Sequence, residues 1–270
     1  MAELRPLSPE EQATLAEAAL DAEPEKEGWA LYNLRDAQLE LLKRLPGIAA
    51  LVLFETCERG EVTDAGLAAL SGLESLRQLD LGPGITDVGL AHLAGLVGLR
   101  RLRLDSAGGI TDAGILHLGR LTELRSLSVQ YTRIGDGALL GLRHLRSLHE
   151  LAINGTAVTD EGLAHLGSLT SLRILHLGGG RGLDPETLQP HRGAVTDRGL
   201  RHLAPLADLE LLSLDGAGAG EITSKGVMEL APLRELQTLI LRGPGIDEEA
   251  VATLAGLTKL KSLWLTDTRI

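Results

Sequence analysis

The chain has 270 residues, 60 of them Leu and 33 Gly, with only five aromatic side chains and a formal charge of −11. At 44% hydrophobic and 23% charged it is not a disordered chain, and no apolar run approaches the ~18–20 residues needed to span a bilayer. The negative field repels phosphate backbones and anionic lipid, so neither nucleic acid nor a membrane is an expected partner.

The opening Met1-Ala2-Glu3-Leu4-Arg5-Pro6 lacks the basic and then apolar regions of a signal peptide. The single Cys57 cannot close an intramolecular disulfide, and the expected compartment is cytoplasmic. Ser8-Pro9-Glu10-Glu11 reads as N-cap, first-turn Pro and capping Glu, opening a helix through about Leu20. After acidic Asp21, Glu23, Glu25 and Glu27 come Trp29, Leu31 and Tyr32, expected to complete an N-terminal helical cap over residues 1–33.

From residue 34 to 270 one pattern recurs, roughly [IV]-T-D-x-G-L-x-x-L-x-x-L-x-x-L-x-x-L-x-L. It starts at Val62, Ile85, Ile110, Ile134, Val158, Val195, Ile222 and Ile246, with steps of 23, 25, 24, 24, 37, 27 and 24 residues. A degenerate copy built on Leu34, Asp36, Leu39, Leu42, Leu45, Ile48, Leu51 and Leu53 precedes them, so nine strands are predicted. The first half of each unit has helical spacing and the second half ends in an alternating Leu-x-Leu, so each unit reads as helix, turn and short strand. The recurrent Thr is placed to cap the helix, and the Asp after it suits the positive helix end. The recurrent Gly, replaced by Ala138 and Ala250 in two units, is read as a small residue for a close contact between helix and sheet.

A period of ~20–29 residues with Leu at these offsets is the leucine-rich repeat signature. The units resemble the I-T-D-x-G-L class found in bacterial leucine-rich repeat proteins, in GALA-type effectors and in the repeat region of F-box leucine-rich receptors. That resemblance implies an α/β fold: a right-handed leucine-rich repeat solenoid, or horseshoe, with a parallel sheet on the concave face and helices on the convex face. Thr56, Thr132, Thr156 and Thr268 stand where many such repeats carry a buried Asn or Cys, and a hydroxyl there can satisfy turn backbone groups.

Because Leu fills the core positions, recognition falls to the side chains that flank it on the open face. The central strand column reads Val52, Asp80, Arg103, Ser128, Ala152, His176, Ser213, Ile240 and Trp264. Two residues on it reads Phe54, Gly82, Asp105, Gln130, Asn154, Gly178, Asp215, Arg242 and Thr266. An outward Trp is a frequent interface anchor. An insertion at 178–194 adds Arg181, Asp184, His191 and Arg192, and a shorter excursion follows at 216–221, both on the rim after a strand. The last strand, around Trp264, is left as an edge through which copies of the chain are able to associate.

Reactive chemistry finds little support. Gly178-Gly179-Gly180-Arg181-Gly182 lacks the spacing and the Lys of a phosphate-binding loop. His92, His117, His165 and His202 recur at one offset and so spread out, where a metal site needs convergence. His176 faces Ser213 and Asp215, but these two alternate along one strand without a nucleophile turn. Cys57 sits between acids that disfavour its thiolate. The expectation is therefore a non-catalytic scaffold for a protein or peptide ligand, with neither cofactor nor metal. Two other readings compete: an adaptor that recruits a target to ubiquitin machinery, implied by the resemblance, and a hydrolase using His176.

Overall fold

The computed structural model describes residues 24–25, 28–32, 36–42, 48–53, 62–178, 195–215 and 222–270. Eleven strands lie side by side in strictly sequential order: β1 (Pro24–Glu25), β2 (Gly28–Tyr32), β3 (Ile48–Leu53), β4 (Gln78–Leu81), β5 (Arg101–Arg103), β6 (Ser126–Ser128), β7 (Glu150–Ala152), β8 (Ile174–His176), β9 (Leu211–Ser213), β10 (Thr238–Arg242) and β11 (Ser262–Thr266). Strands β2 to β11 are parallel. The nine repeat strands are β3 to β11. Where the expected N-terminal cap is described it is strand rather than helix: β1 and β2 form an antiparallel pair, and β2 adds a parallel strand against β3. The helix expected between Ser8 and Leu20 lies outside the described residues.

From β2 on, successive strands are joined through a short α-helix, which in five units tightens into a 3₁₀ turn, as in Asp87–Ala91 followed by His92–Gly95. The Leu side chains of these elements and of the Leu-x-Leu strands meet in one continuous core, where Leu90, Leu93, Leu99, Leu118, Leu127, Leu151, Leu175 and Leu212 are fully buried. Removing one of them, as in Leu127→Ala, costs about 2–5 kcal/mol, the usual loss for a fully buried aliphatic side chain. Leu263 of β11 departs from this rule at 39% exposed, although Leu239, its register partner in β10, is fully buried.

Neighbouring units are clasped by the Thr-Asp pair. The Thr hydroxyl accepts the backbone N–H two residues on, at 3.2–3.3 Å, in the helices that Thr86, Thr111, Thr159, Thr196 and Thr223 cap. The same hydroxyl donates to the Asp of the preceding unit. Asp36, Asp64, Asp87, Asp136, Asp160 and Asp197 each accept the next unit's Thr N–H on Oδ1 at 2.7–2.9 Å and its hydroxyl on Oδ2 at 2.5–2.7 Å. A carboxylate can serve only as acceptor and a hydroxyl can do both, so the two residue types are not interchangeable at these positions.

This arrangement extends the reading of the Asp and corrects that of the Gly. The Asp opens its helix in the first turn, as expected, and is also the link to the following unit. A Cβ at Gly89, Gly114, Gly162, Gly199 or Gly226 would overlap the Oδ1 of Asp64, Asp87, Asp136, Asp160 or Asp197 respectively. The Gly therefore makes room for the preceding carboxylate rather than for the sheet. Both Ala exceptions obey the same logic. Ala250 follows a unit whose Asp position holds the shorter Ser224, and Ala138 lies in a unit whose Thr position is Gly135, where Asp112 keeps only the backbone bond at 2.6 Å.

Past each strand the ladder continues for a few residues, for example from Ser106 N to Gln130 O at 2.8 Å and from Tyr131 N to Asn154 O at 2.8 Å. The chain then turns. Ser106, Tyr131 and Gly155 adopt positive φ of 62°, 57° and 67° at this point. Thr132 and Thr156 follow and donate to the carbonyls of Val129 and Ile153 at 2.6 and 2.8 Å, as expected of a hydroxyl at this buried position.

Candidate functional site on the concave sheet

The register of the sheet aligns the central column as read from the sequence: Val52, Asp80, Arg103, Ser128, Ala152, His176, Ser213, Ile240 and Trp264 are successive partners. Because each Leu-x-Leu turns its Leu residues inward, the residue between them faces outward. Asp80, Arg103, Asp105, Ser128, Gln130, Asn154 and His176 line one hollow of about 390 Å³ across β4 to β8.

Hydrogen bonds join this surface into a chain that runs across the strands. Asp105, only 6% exposed, accepts from Arg103 Nε at 2.7 Å, from Ser128 Oγ at 2.5 Å and from Gln130 N at 3.0 Å. Gln130 Nε2 donates to Ser128 Oγ at 3.1 Å, Asn154 Nδ2 donates to Gln130 Oε1 at 2.7 Å, and Asn154 Oδ1 accepts from Gly178 N at 2.6 Å. A buried carboxylate with three donors is a satisfied group, and it fixes the side chains above it.

Two titrating groups in the hollow are shifted. Burial raises the pKa of Asp80 above its ordinary value, against the opposing pull of Arg103, Gln78 and Arg101. Burial lowers the pKa of His176, with Glu150 opposing, so at neutral pH the imidazole is uncharged.

Ser213, Asp215, Ile240, Arg242 and Trp264 lie beyond the hollow, on β9 to β11 and just past them. Arg242 pairs with Asp215 at 3.7 Å and with Asp267 at 3.0 Å, so the Asp215 carboxylate is directed at a guanidinium in the next strand. Ser213 is the register partner of His176 and is 7% exposed. Ile240 is half-buried beside Trp264, which is 64% exposed. Arg181, Asp184, His191 and Arg192 fall outside the described residues, as does Cys57. Gly178 and Asp215, the described residues that precede the two excursions, lie against each other, since a Cβ at Gly178 would overlap the Asp215 carbonyl; the excursions themselves lie outside the described residues.

Sequence reasoning missed a third outward column, two residues before the central one: Gln78, Arg101, Ser126 and Glu150 also line the hollow. The signal was the same alternation, extended one step upstream of the first Leu. Ser126 Oγ donates to Glu150 Oε2 at 2.9 Å. Tyr131 was missed as well. Its ring lies over Gly155, where a Cβ would strike it, and it stays 45% exposed at the rim.

Ten parallel strands, Leu-filled layers and short helices between successive strands define a right-handed leucine-rich repeat solenoid, with the sheet on the concave face and the helices on the convex face. Among solved structures the chain is similar to internalin C2 from Listeria monocytogenes, with a TM-score of 0.55 and 21% identity over 88% of this chain and 80% of that one. It is also similar to a second internalin, inlF, from the same organism, with a TM-score of 0.51 and 19% identity over 90% and 82%. No protein-family model and no curated relative matches the sequence. Among the described residues no helix is long and apolar enough to cross a membrane.

Proposed function

We propose that this chain is a non-catalytic scaffold that binds a protein or peptide through its concave sheet and the adjoining rim. One observation carries the reading: the outward polar side chains Arg103, Ser128, Gln130 and Asn154, on and just past β5 to β7, are locked to one another around buried Asp105, forming a rigid surface before any partner arrives. A preorganised surface of this kind lowers the ordering cost of association. The internalin fold agrees with an interaction role in general terms. The His176 hydrolase is disfavoured by Asp215, whose ion pair is with Arg242. The ubiquitin adaptor rests on the repeat resemblance alone.

Ala152 sits at the floor of the hollow and Val88 on a helix, 66% exposed. Capture of a partner from cells that express the chain should be lost with Ala152→Arg and kept with Val88→Arg, both variants melting like the parent. Equal capture by the two would refute concave-face binding.

A second reading, association between copies, is favoured by the edge strand β11, where Leu263 and Trp264 are exposed together. Sedimentation at micromolar concentration should show a dimer that Trp264→Ala disperses; a monomeric parent would rule this out.

A further inference from the structure

The unit that carries β11 exposes positions that the unit before it buries. Val251, Leu263 and Ile270 are exposed, whereas Val227, Leu239 and Ile246, which hold the same places one unit earlier, are fully buried. Leu265 is partly buried where Leu241 is fully so, and Trp264 stands exposed between the two Leu. Beyond β11 no further strand lies among the described residues. The ladder fixes which backbone groups of this edge are open. Ser262 N donates to Gln237 O at 3.0 Å and Thr266 O accepts from Gly243 N at 3.1 Å, so Ser262, Trp264 and Thr266 turn their peptide groups towards β10. By alternation, Leu263 and Leu265 direct theirs away from β10, to the open edge.

The sequence along this edge is complementary to itself. Lys261-Ser262-Leu263-Trp264-Leu265-Thr266-Asp267, set against its own reverse about Trp264, places Lys opposite Asp, Ser opposite Thr and Leu opposite Leu. We infer that β11 pairs antiparallel with β11 of a second copy of the chain, about a twofold axis through Trp264. This deepens the reading of association between copies and rests on it. In this register Leu263 of one copy and Leu265 of the other form hydrogen-bonded pairs through the peptide groups that the edge leaves open. The two Trp264 residues meet as a non-hydrogen-bonded pair, where side chains stand closest. A slip by one residue would turn the Leu of one copy to the concave side of the other, and a slip by two would set Lys261 or Asp267 against Leu. The like charges further out are answered within each copy, Lys259 by Glu235 and Arg269 by Asp247. A twofold axis makes one patch serve both partners, and antiparallel pairing keeps the helices of both copies on one side of the joined sheet. Their exposed Leu layers thus meet beneath the seam, and the two concave faces open on the same side.

The test is disulfide trapping in a Cys57→Ser background, with circular dichroism confirming that each variant is folded. Chains carrying Ser262→Cys and chains carrying Thr266→Cys are purified separately, mixed, left to exchange subunits and oxidised at micromolar concentration. Opposed non-hydrogen-bonded residues have Cα atoms about 4.5 Å apart, within reach of a disulfide, whereas residue 262 of one copy lies roughly 13 Å from residue 262 of the other. The mixture should therefore yield a covalent dimer, and neither variant alone should do so. A parent that sediments as a dimer while the mixture stays unlinked, or while Ser262→Cys links to itself, would overturn the antiparallel register and leave association between copies standing. A monomeric parent would overturn both.

Discussion

Ser224 and Asp247 exchange the roles that Asp and Thr hold in the rest of the array: Ser224 Oγ donates to Asp247 Oδ1 at 2.7 Å and accepts from Asp247 N at 2.9 Å. Asp247 then caps its own helical turn by accepting from Glu249 N at 3.0 Å. One donor and one acceptor survive the exchange. Ser224→Asp alone would set two carboxylates against each other and should lower stability by about 1–3 kcal/mol. Adding Asp247→Thr together with Ala250→Gly, which clears the space the longer carboxylate needs, should recover most of that loss, read as the urea midpoint; a triple variant as weak as the single would refute the exchange.

Gly114→Ala tests the space that each carboxylate needs. Its Cβ would overlap Asp87 Oδ1, so the Asp87–Thr111 clasp must shift, at a cost of about 1–3 kcal/mol typical of overpacking. Asp87→Ser shortens the intruding side chain, and its effect combined with Gly114→Ala should be less than additive in thermal unfolding. Additive losses would show that the Gly serves another contact.

Asp80 has a pH signature. Its pKa is higher folded than unfolded, so the folded chain holds the proton more tightly, and ionisation of Asp80 opposes folding. Stability associated with this group rises as pH falls through the raised pKa towards 3.8, and is lowest above it. Asp80→Asn should therefore melt higher than the parent at pH 7, the gap closing as the pH approaches 4. A gap that widens in acid would contradict burial as the dominant cause.

Asp105→Ala strands Arg103, Ser128 and the Gln130 N–H, and should cost about 1–3 kcal/mol, the penalty for donors that lose a buried acceptor. Asp105→Asn should cost less, because an amide keeps one acceptor. Equal urea midpoints for the parent and Asp105→Ala would show that the network contributes nothing to rigidity.

Much of this was legible in the sequence because Leu-x-Leu fixes both the facing and the register of each strand. That is why the column from Val52 to Trp264 matches residue for residue. The partner of each Asp was not legible, since it lies 22 to 36 residues away across a unit boundary that helix-capping rules do not address. Strand β2 escaped notice for a different reason. Gly28-Trp29-Ala30-Leu31-Tyr32 carries no Leu-x-Leu and is identified as strand by its pairing with β3 rather than by its own pattern. In the site, the Arg101 column was hidden by attention to the residue between the two Leu, although the same alternation continues one step earlier.

The clasp between Asp160 and Thr196 has bonds of 2.7 and 2.6 Å, matching pairs whose intervening chain is much shorter. The units on either side of residues 179–194 are thus fastened directly to each other. Sequence drift in that segment is therefore uncoupled from the integrity of the coil, leaving it open to lengthening, replacement or grafting while the framework stays unchanged.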